Sequence, residues 1–141
     1  GVHMDDLDFR LAAQAEPNAQ AVLAFGIDAA NRDTGAVGPE PLNVYVYAQD
    51  EMVAGVSGDT LGTNLVITAL WVDSAFRSQG VARRLVEMIE AEAQGRGCKT
   101  ALVDVMSYQP VAFFAKTGYH EIARLTNVYD HDRVFLRKNL G

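Results

Sequence analysis

The stretch Leu70-Trp71-Val72-Asp73-Ser74-Ala75-Phe76-Arg77-Ser78-Gln79-Gly80-Val81-Ala82-Arg83-Arg84 decides how the rest of the chain is read. An apolar strand gives way to a short polar loop, and the loop opens a helix. Val81, Leu85, Ile89 and Ala93 recur every four residues, and Ala82 and Val86 widen the stripe. That spacing predicts an amphipathic helix over about Gln79 to Ala93. Helix N-termini offer unpaired N–H groups and a partial positive charge, which suits phosphate. Gly80 lets backbone approach a ligand, and Ala82 keeps the next position small. Arg77, Arg83 and Arg84 crowd the helix start, while Glu87, Glu90 and Glu92 fall in its later turns. Each opposes the helix macrodipole, at about 0.3–1 kcal/mol apiece. A polyanion bound at the helix start would offset the arginine part. An Arg83–Glu87 pair at i,i+4 is the alternative reading.

Upstream, Leu7 to Ala13 reads as a short strand, and Pro17 suits the first turn of a helix to about Ala30. Asn31 to Pro41 reads as a long loop. Strands follow at about Leu42 to Ala48, Met52 to Ser57 and Leu65 to Val72, with turn residues between them. Downstream, Gly95 and Gly97 stop the helix. Ala101 to Met106 is nearly all apolar, as in a strand covered on both faces. Pro110 to Lys116 is a short helix, and Tyr119 to Leu125 and Val134 to Arg137 are the last strands. One mixed, mostly antiparallel sheet with helices on both faces satisfies this order, so the class is α+β.

With 141 residues and 49% hydrophobic content, one domain spanning 1–141 has enough apolar surface for a core. Gly1-Val2-His3, ahead of Met4, reads as a cloning remnant. No apolar run approaches the ~20 residues of a membrane span, and no charged-then-apolar leader precedes residue 20. The single cysteine, Cys98, excludes an internal disulfide and fits a reducing, cytoplasmic setting. A net charge of -6 argues against nucleic acid and mildly favours a cationic partner. Neither G-x-x-x-x-G-K-[ST] nor G-x-G-x-x-G is present. His120 and His131 lack partners at ligand spacing, so no metal site is expected.

Arg77-Ser78-Gln79-Gly80-Val81-Ala82 matches the pattern Q/R-x-x-G-x-G/A. About thirty residues later, Phe113-Phe114-Ala115-Lys116-Thr117-Gly118-Tyr119 is close to F-Y-x-K-x-G-F, and Gly55-Val56-Ser57-Gly58 sits where a preceding hairpin belongs. On these motifs residues 42 to 139 resemble the GNAT superfamily of N-acetyltransferases. Ser107-Tyr108-Gln109-Pro110 and Asp130-His131-Asp132-Arg133 resemble a subgroup of small bacterial acetyltransferases. The resemblance implies acetyl-CoA as co-substrate. Backbone amides of Gln79, Gly80, Val81, Ala82 and Arg83 would hold its pyrophosphate, beside Ser78 and with charge from Arg77. The backbone of Leu70, Trp71 and Val72 would run along the pantetheine arm, and Phe113 and Phe114 would line the same site. The strand ending at Val72 would splay from the one carrying Ala101 to Met106, a gap between the fourth and fifth strands. A main-chain N–H near Val72 would polarise the thioester carbonyl.

The reaction implied is direct attack of a small primary amine on the thioester. Asp104 is the one charged residue in an apolar strand. A buried carboxylate holds its proton more tightly, which suits a base; hydrogen bonding to nearby backbone is the competing role. The family usually has tyrosine where this chain has Phe114, so its acid is missing. Tyr108, ending the adjacent strand, is the nearest hydroxyl that could replace it, with water as the other source. Trp71 is expected to pack on a sheet face. A non-catalytic acyl-CoA-binding sensor is the alternative function. Val134 to Leu140 offers an apolar strand for a homodimer.

Overall fold

Side-chain alternation builds β1 (Glu40–Ala48), β2 (Glu51–Leu61) and β3 (Asn64–Val72), which pair antiparallel in sequence. The helix α2 (Val81–Gly95) follows, then β4 (Thr100–Met106), α3 (Val111–Lys116), β5 (His120–Leu125) and β6 (Arg133–Asn139). The sheet order is β1-β2-β3-β4-β6-β5. The computed structural model describes residues 2–141, in two units that divide after Gly38. In the first, Met4–Asp6 forms a 3-10 turn and α1 (Pro17–Asp33) starts at Pro17 as expected, ending three residues later than expected. The strand expected at Leu7 to Ala13 does not form. Its backbone finds no ladder partner, and Arg10 pairs locally with Asp8 instead.

In the second unit, Leu85, Val86, Ile89 and Ala93 of α2 sink into one apolar cluster. Val56, Leu65, Ile67, Ala101, Val103, Val134, Leu136 and Phe114 belong to it too. Val134, Leu136 and Leu140 therefore lie inside this unit's own core.

Every neighbouring strand pair is antiparallel except β3–β4. That parallel pairing runs only from Asn64↔Thr100 to Ile67↔Val103. Beyond it β3 stays with β2 to Val72, and β4 stays with β6 to Met106. The two strands part as anticipated. With no strand at Leu7 to Ala13, the gap lies between the third and fourth strands. A bulge sits at the point of departure: Ser57 faces Ala69 and Gly58 faces Ile67, leaving Thr68 extra. Bulges bend a strand and increase its twist. Gly58 admits this one, because a Cβ there would lie 2.5 Å from the Val66 carbonyl oxygen.

Glu90 has a structural reason to sit in the latter half of α2. It is buried, accepts a hydrogen bond from the Tyr119 hydroxyl at 2.7 Å, and pairs with Lys138 Nζ at 2.8 Å. Burial and the Glu90 bond push the Tyr119 phenol pKa well up. The trio ties α2 to β6 and to the residue before β5. Lys138→Met would leave a buried carboxylate without its counter-charge. The expected loss is about 2–4 kcal/mol, below the range for a fully buried pair because Lys138 is partly solvated. Urea unfolding of the variant measures it.

Candidate active site

Where β3 and β4 part, a cavity of about 680 Å³ opens. One wall is β3, through Ile67, Thr68, Ala69, Leu70 and Val72; the other is β4, through Val103, Asp104 and Val105. Arg77, Ser78 and Ala82 come from the loop and helix start, and Gln109, Pro110, Phe113 and Phe114 from the turn into α3. Of the residues singled out in the sequence, Leu70, Val72, Arg77, Ser78, Ala82, Asp104, Phe113 and Phe114 meet here. Trp71, Gln79, Gly80, Val81, Arg83 and Tyr108 do not line the cavity. Trp71 lies on the next register position, half exposed, in a row with Gly55 and Tyr45.

The loop from β3 to α2 is held at both ends. Arg77 Nε donates to the Val72 carbonyl at 3.0 Å, closing the loop onto its own strand. Ser78 at φ 63° and Gly80 at φ 80° adopt the left-handed conformation. The first helical backbone bond runs from Arg84 N to Gly80 O. The amides of Gly80, Val81, Ala82 and Arg83 thus have no backbone acceptor, and no side chain caps them. Left-handed turns leading into a free helix start form an anion-binding concavity. A Cβ on Gly80 would meet nothing within 4 Å, so this face is open. The alternative Arg83–Glu87 pair is not among the ion pairs of the described residues.

The edge of β3 beside the gap has no strand partner, and of its groups the Val72 carbonyl accepts from Arg77. Asp73 N donates to Val53 O on β2, and backbone direction alternates along a strand. Leu70 and Val72 therefore turn their N–H and C=O groups toward the gap.

Asp104 departs from its expected setting. It is about one-third exposed, and its partner is neither neighbouring backbone nor an apolar wall. Arg133 grips it: Nε lies 2.7 Å and Nη2 2.5 Å from the same oxygen, Oδ2. Oδ1 has no protein partner among the described residues. Arg133 also covers the Phe135 ring, at 5.6 Å. Sequence alone gave Arg133 no role in the site. Asp104 pairs with Phe135 in the β4–β6 register, so Arg133 is its diagonal neighbour on the same face.

Phe114 is buried, edge-on to Phe113 and Tyr119. Tyr108 is exposed in the turn after β4, and its hydroxyl lies 2.5 Å from that of Tyr129. Tyr129 sits in the loop between β5 and β6, one residue before the Asp130-His131-Asp132-Arg133 stretch, and sequence reading gave it no role. Asp132 organises that loop. Its carboxylate accepts from Asn127 N at 3.1 Å and Arg124 Nη1 at 2.7 Å, and its amide donates to Ser107 Oγ. Its carbonyl accepts from Ser107 N at 2.7 Å. The Arg124 bond and then the Asn127 amide hold the Asp132 carboxyl below the ordinary range. A lowered folded-state pKa contributes order above the unfolded value, lost as pH falls through the folded one. At neutral pH, Asp132→Ala should lower the protection factor of the Asn127 amide, taken against the intrinsic exchange rate at the same pH, to a value that wild type reaches only in acid below the usual carboxylate range. Exchange-resolved NMR checks both arms.

The profile of the Acetyltransferase (GNAT) family matches residues 10–119. The acetyltransferase Atu2258 of Agrobacterium fabrum is 30% identical over 84% of this chain and 88% of its own. Blasticidin-S acetyltransferase of Streptomyces morookaense is 32% identical over 67% of this chain and 73% of its own. The crystal structure of a protein from Agrobacterium tumefaciens, named an acetyltransferase, superposes with a TM-score of 0.85 at 27% identity. It covers 94% of this chain and 99% of that one. A parting of parallel strands beside an uncapped helix start, with these likenesses, identifies the chain as a member of the acetyltransferase (GNAT) family and an enzyme of the N-acetyltransferase class.

Proposed function

We propose that this enzyme moves the acetyl group of acetyl-CoA to a primary amine of a small molecule, by direct attack within a ternary complex. One observation carries the reading: the cleft between β3 and β4 joins a largely apolar interior, a carboxylate with one free oxygen, and a mouth of unpaired amides. Each part matches a part of acetyl-CoA. The amides of Gly80 to Arg83 suit the pyrophosphate, with Ser78 and Gln79 completing the turn and Arg77 adding charge. The free edge at Leu70 and Val72 suits the pantetheine amides, as an added strand would pair. Ala82, Phe113 and Phe114 supply apolar contact. The Val72 N–H faces the gap, where it can donate to the thioester oxygen as charge develops. A cavity of this size is in the usual range for small-ligand sites, roughly 300–1,000 Å³.

Asp104 Oδ1 suits the acceptor. It can hold an ammonium and take its proton, while Arg133 fixes the carboxylate from the other oxygen. The amine nitrogen then attacks the carbonyl carbon and the C–N bond forms; as the C–S bond breaks, the nitrogen gives up its second proton to solvent. The thiolate takes a proton from Tyr108, the hydroxyl nearest in sequence to the one that Phe114 lacks. A thiol of unperturbed pKa about 8.5 leaves tolerably near neutral pH, so this acid assists an already feasible step. The net charge of -6 and a relative named for blasticidin S both support a small cationic acceptor.

Gly80→Val forces a β-branched side chain into a left-handed conformation and puts it where phosphate would lie. Calorimetry should show acetyl-CoA affinity at least ~10-fold weaker, the scale of one 1.4 kcal/mol interaction. Undiminished affinity removes the site.

Asp104→Asn keeps the shape and removes the proton acceptor. Thiol release is measured against polyamines, aminoglycosides, amino acids and peptide N-termini. On the best acceptor, kcat should fall about 10²–10⁴-fold with acetyl-CoA binding intact. Fastest transfer to peptides would overturn the small-amine assignment.

A further inference from the structure

Tyr108 does not stand alone, and the group beside it has no part in the reading above. The Tyr108 and Tyr129 hydroxyls lie 2.5 Å apart, a short contact for two neutral phenols. His131 sets its edge against both rings, 4.9 Å from Tyr108 and 5.8 Å from Tyr129 between centroids. Both tyrosines are more than half exposed, so burial does not force this pairing. The two segments are instead locked by one backbone bond, Ser107 N to Asp132 O, and by Asp132 N donating to the Ser107 hydroxyl. Inside the loop, Val128 N donates to His131 O at 2.9 Å, and Asp130 takes a left-handed φ of 68°. Ordinary surface tyrosines are not fastened in this way.

We propose that Tyr129 is a positioning residue for the acid step: its hydroxyl donates to the Tyr108 oxygen, and His131 fixes the plane in which the two rings meet. The inference rests on Tyr108 serving as the acid. As the C–S bond breaks, Tyr108 passes its proton to the departing thiolate and its own oxygen gains the negative charge. The Tyr129 O–H then donates to that oxygen and keeps its own proton. The proton taken up at Asp104 and the one missing at Tyr108 re-equilibrate with solvent, leaving amide and free thiol. Either hydroxyl can donate in the resting pair, and once Tyr108 has lost its proton only Tyr129 can. A hydroxyl that donates to a developing charge lowers the barrier, whereas one that merely packs does not.

The test is a kinetic cycle of wild type, Tyr108→Phe, Tyr129→Phe and the double variant, with acetyl-CoA and the best amine acceptor. Circular dichroism of each exposed-site variant confirms folding. Tyr129→Phe should lower kcat about 10- to 100-fold, the size of one hydrogen bond to a charged group, with KM for both substrates within about twofold. Tyr108→Phe should lower kcat by more. The double variant should be no slower than Tyr108→Phe, because Tyr129 acts only through Tyr108. If Tyr108→Phe is slow and Tyr129→Phe is normal, the positioning role falls and the acid stands. If neither variant is slow, both fall. Additive losses in the double variant, or a loss confined to amine KM, overturn the positioning role by showing an independent or acceptor-binding one.

Discussion

Two parallel strands that part must leave backbone N–H and C=O groups without partners, and the rest of this site follows from that. β3 and β4 keep four paired positions and then separate, each staying with its outer neighbour. A buried strand edge is ordinarily unfavourable, because unpaired amides lose water without gaining a partner. Here the edge faces a cavity, so its donors and acceptors remain available to a guest that can pair like a strand. The closed end is held by the Thr100–Asn64 side-chain hydrogen bond. The open end begins where Thr68 bulges and Gly58 leaves room for it. The bend and the absent ladder are one event.

The second constraint is electrostatic. α2 begins with arginines and no acidic residue in its first turn, against its own dipole. Ser78 and Gly80, both left-handed, aim the loop's amides outward, and Arg77 is tethered to Val72 rather than left free. The helix start is thus a preformed positive cup at the end of the unpaired edge. Glu90, which also opposes the dipole, has a different cause: it anchors Tyr119 and Lys138 beneath the helix. One sequence anomaly therefore had two origins. Internal packing accounts for the glutamate further along, and the proposed function would account for the arginines at the helix start.

Asp104 shows how a site residue changes meaning once its neighbours are known. In sequence it is a carboxylate among apolar residues. In the fold, Arg133 takes one oxygen and solvent-facing space meets the other. A carboxylate held by a guanidinium is fixed in orientation, which suits capture of an ammonium. The loop carrying Tyr129 and His131 reaches Tyr108 because Asp132 bonds backbone and side chain on both sides. In the proposed function, the chemistry on the acceptor side is assembled from β4, β6 and a loop between β5 and β6.

The sequence by itself determined most of the elements and the turn from β3 into α2. Four-residue apolar spacing, glycine placement and the misplaced arginines are all local, and local chemistry is legible along a chain. Leu7 to Ala13 failed as a strand because a strand exists only with a partner, and no local signal says whether one is there. Only the tertiary structure decided that Asp104 meets Arg133, that Tyr108 meets Tyr129, and that Trp71 stays off the cavity. Those outcomes depend on register, where a shift of one residue reverses the face of every side chain. Register is set by distant ladder bonds and by the bulge at Thr68, so the acceptor side of the site could not be read before the strands were paired.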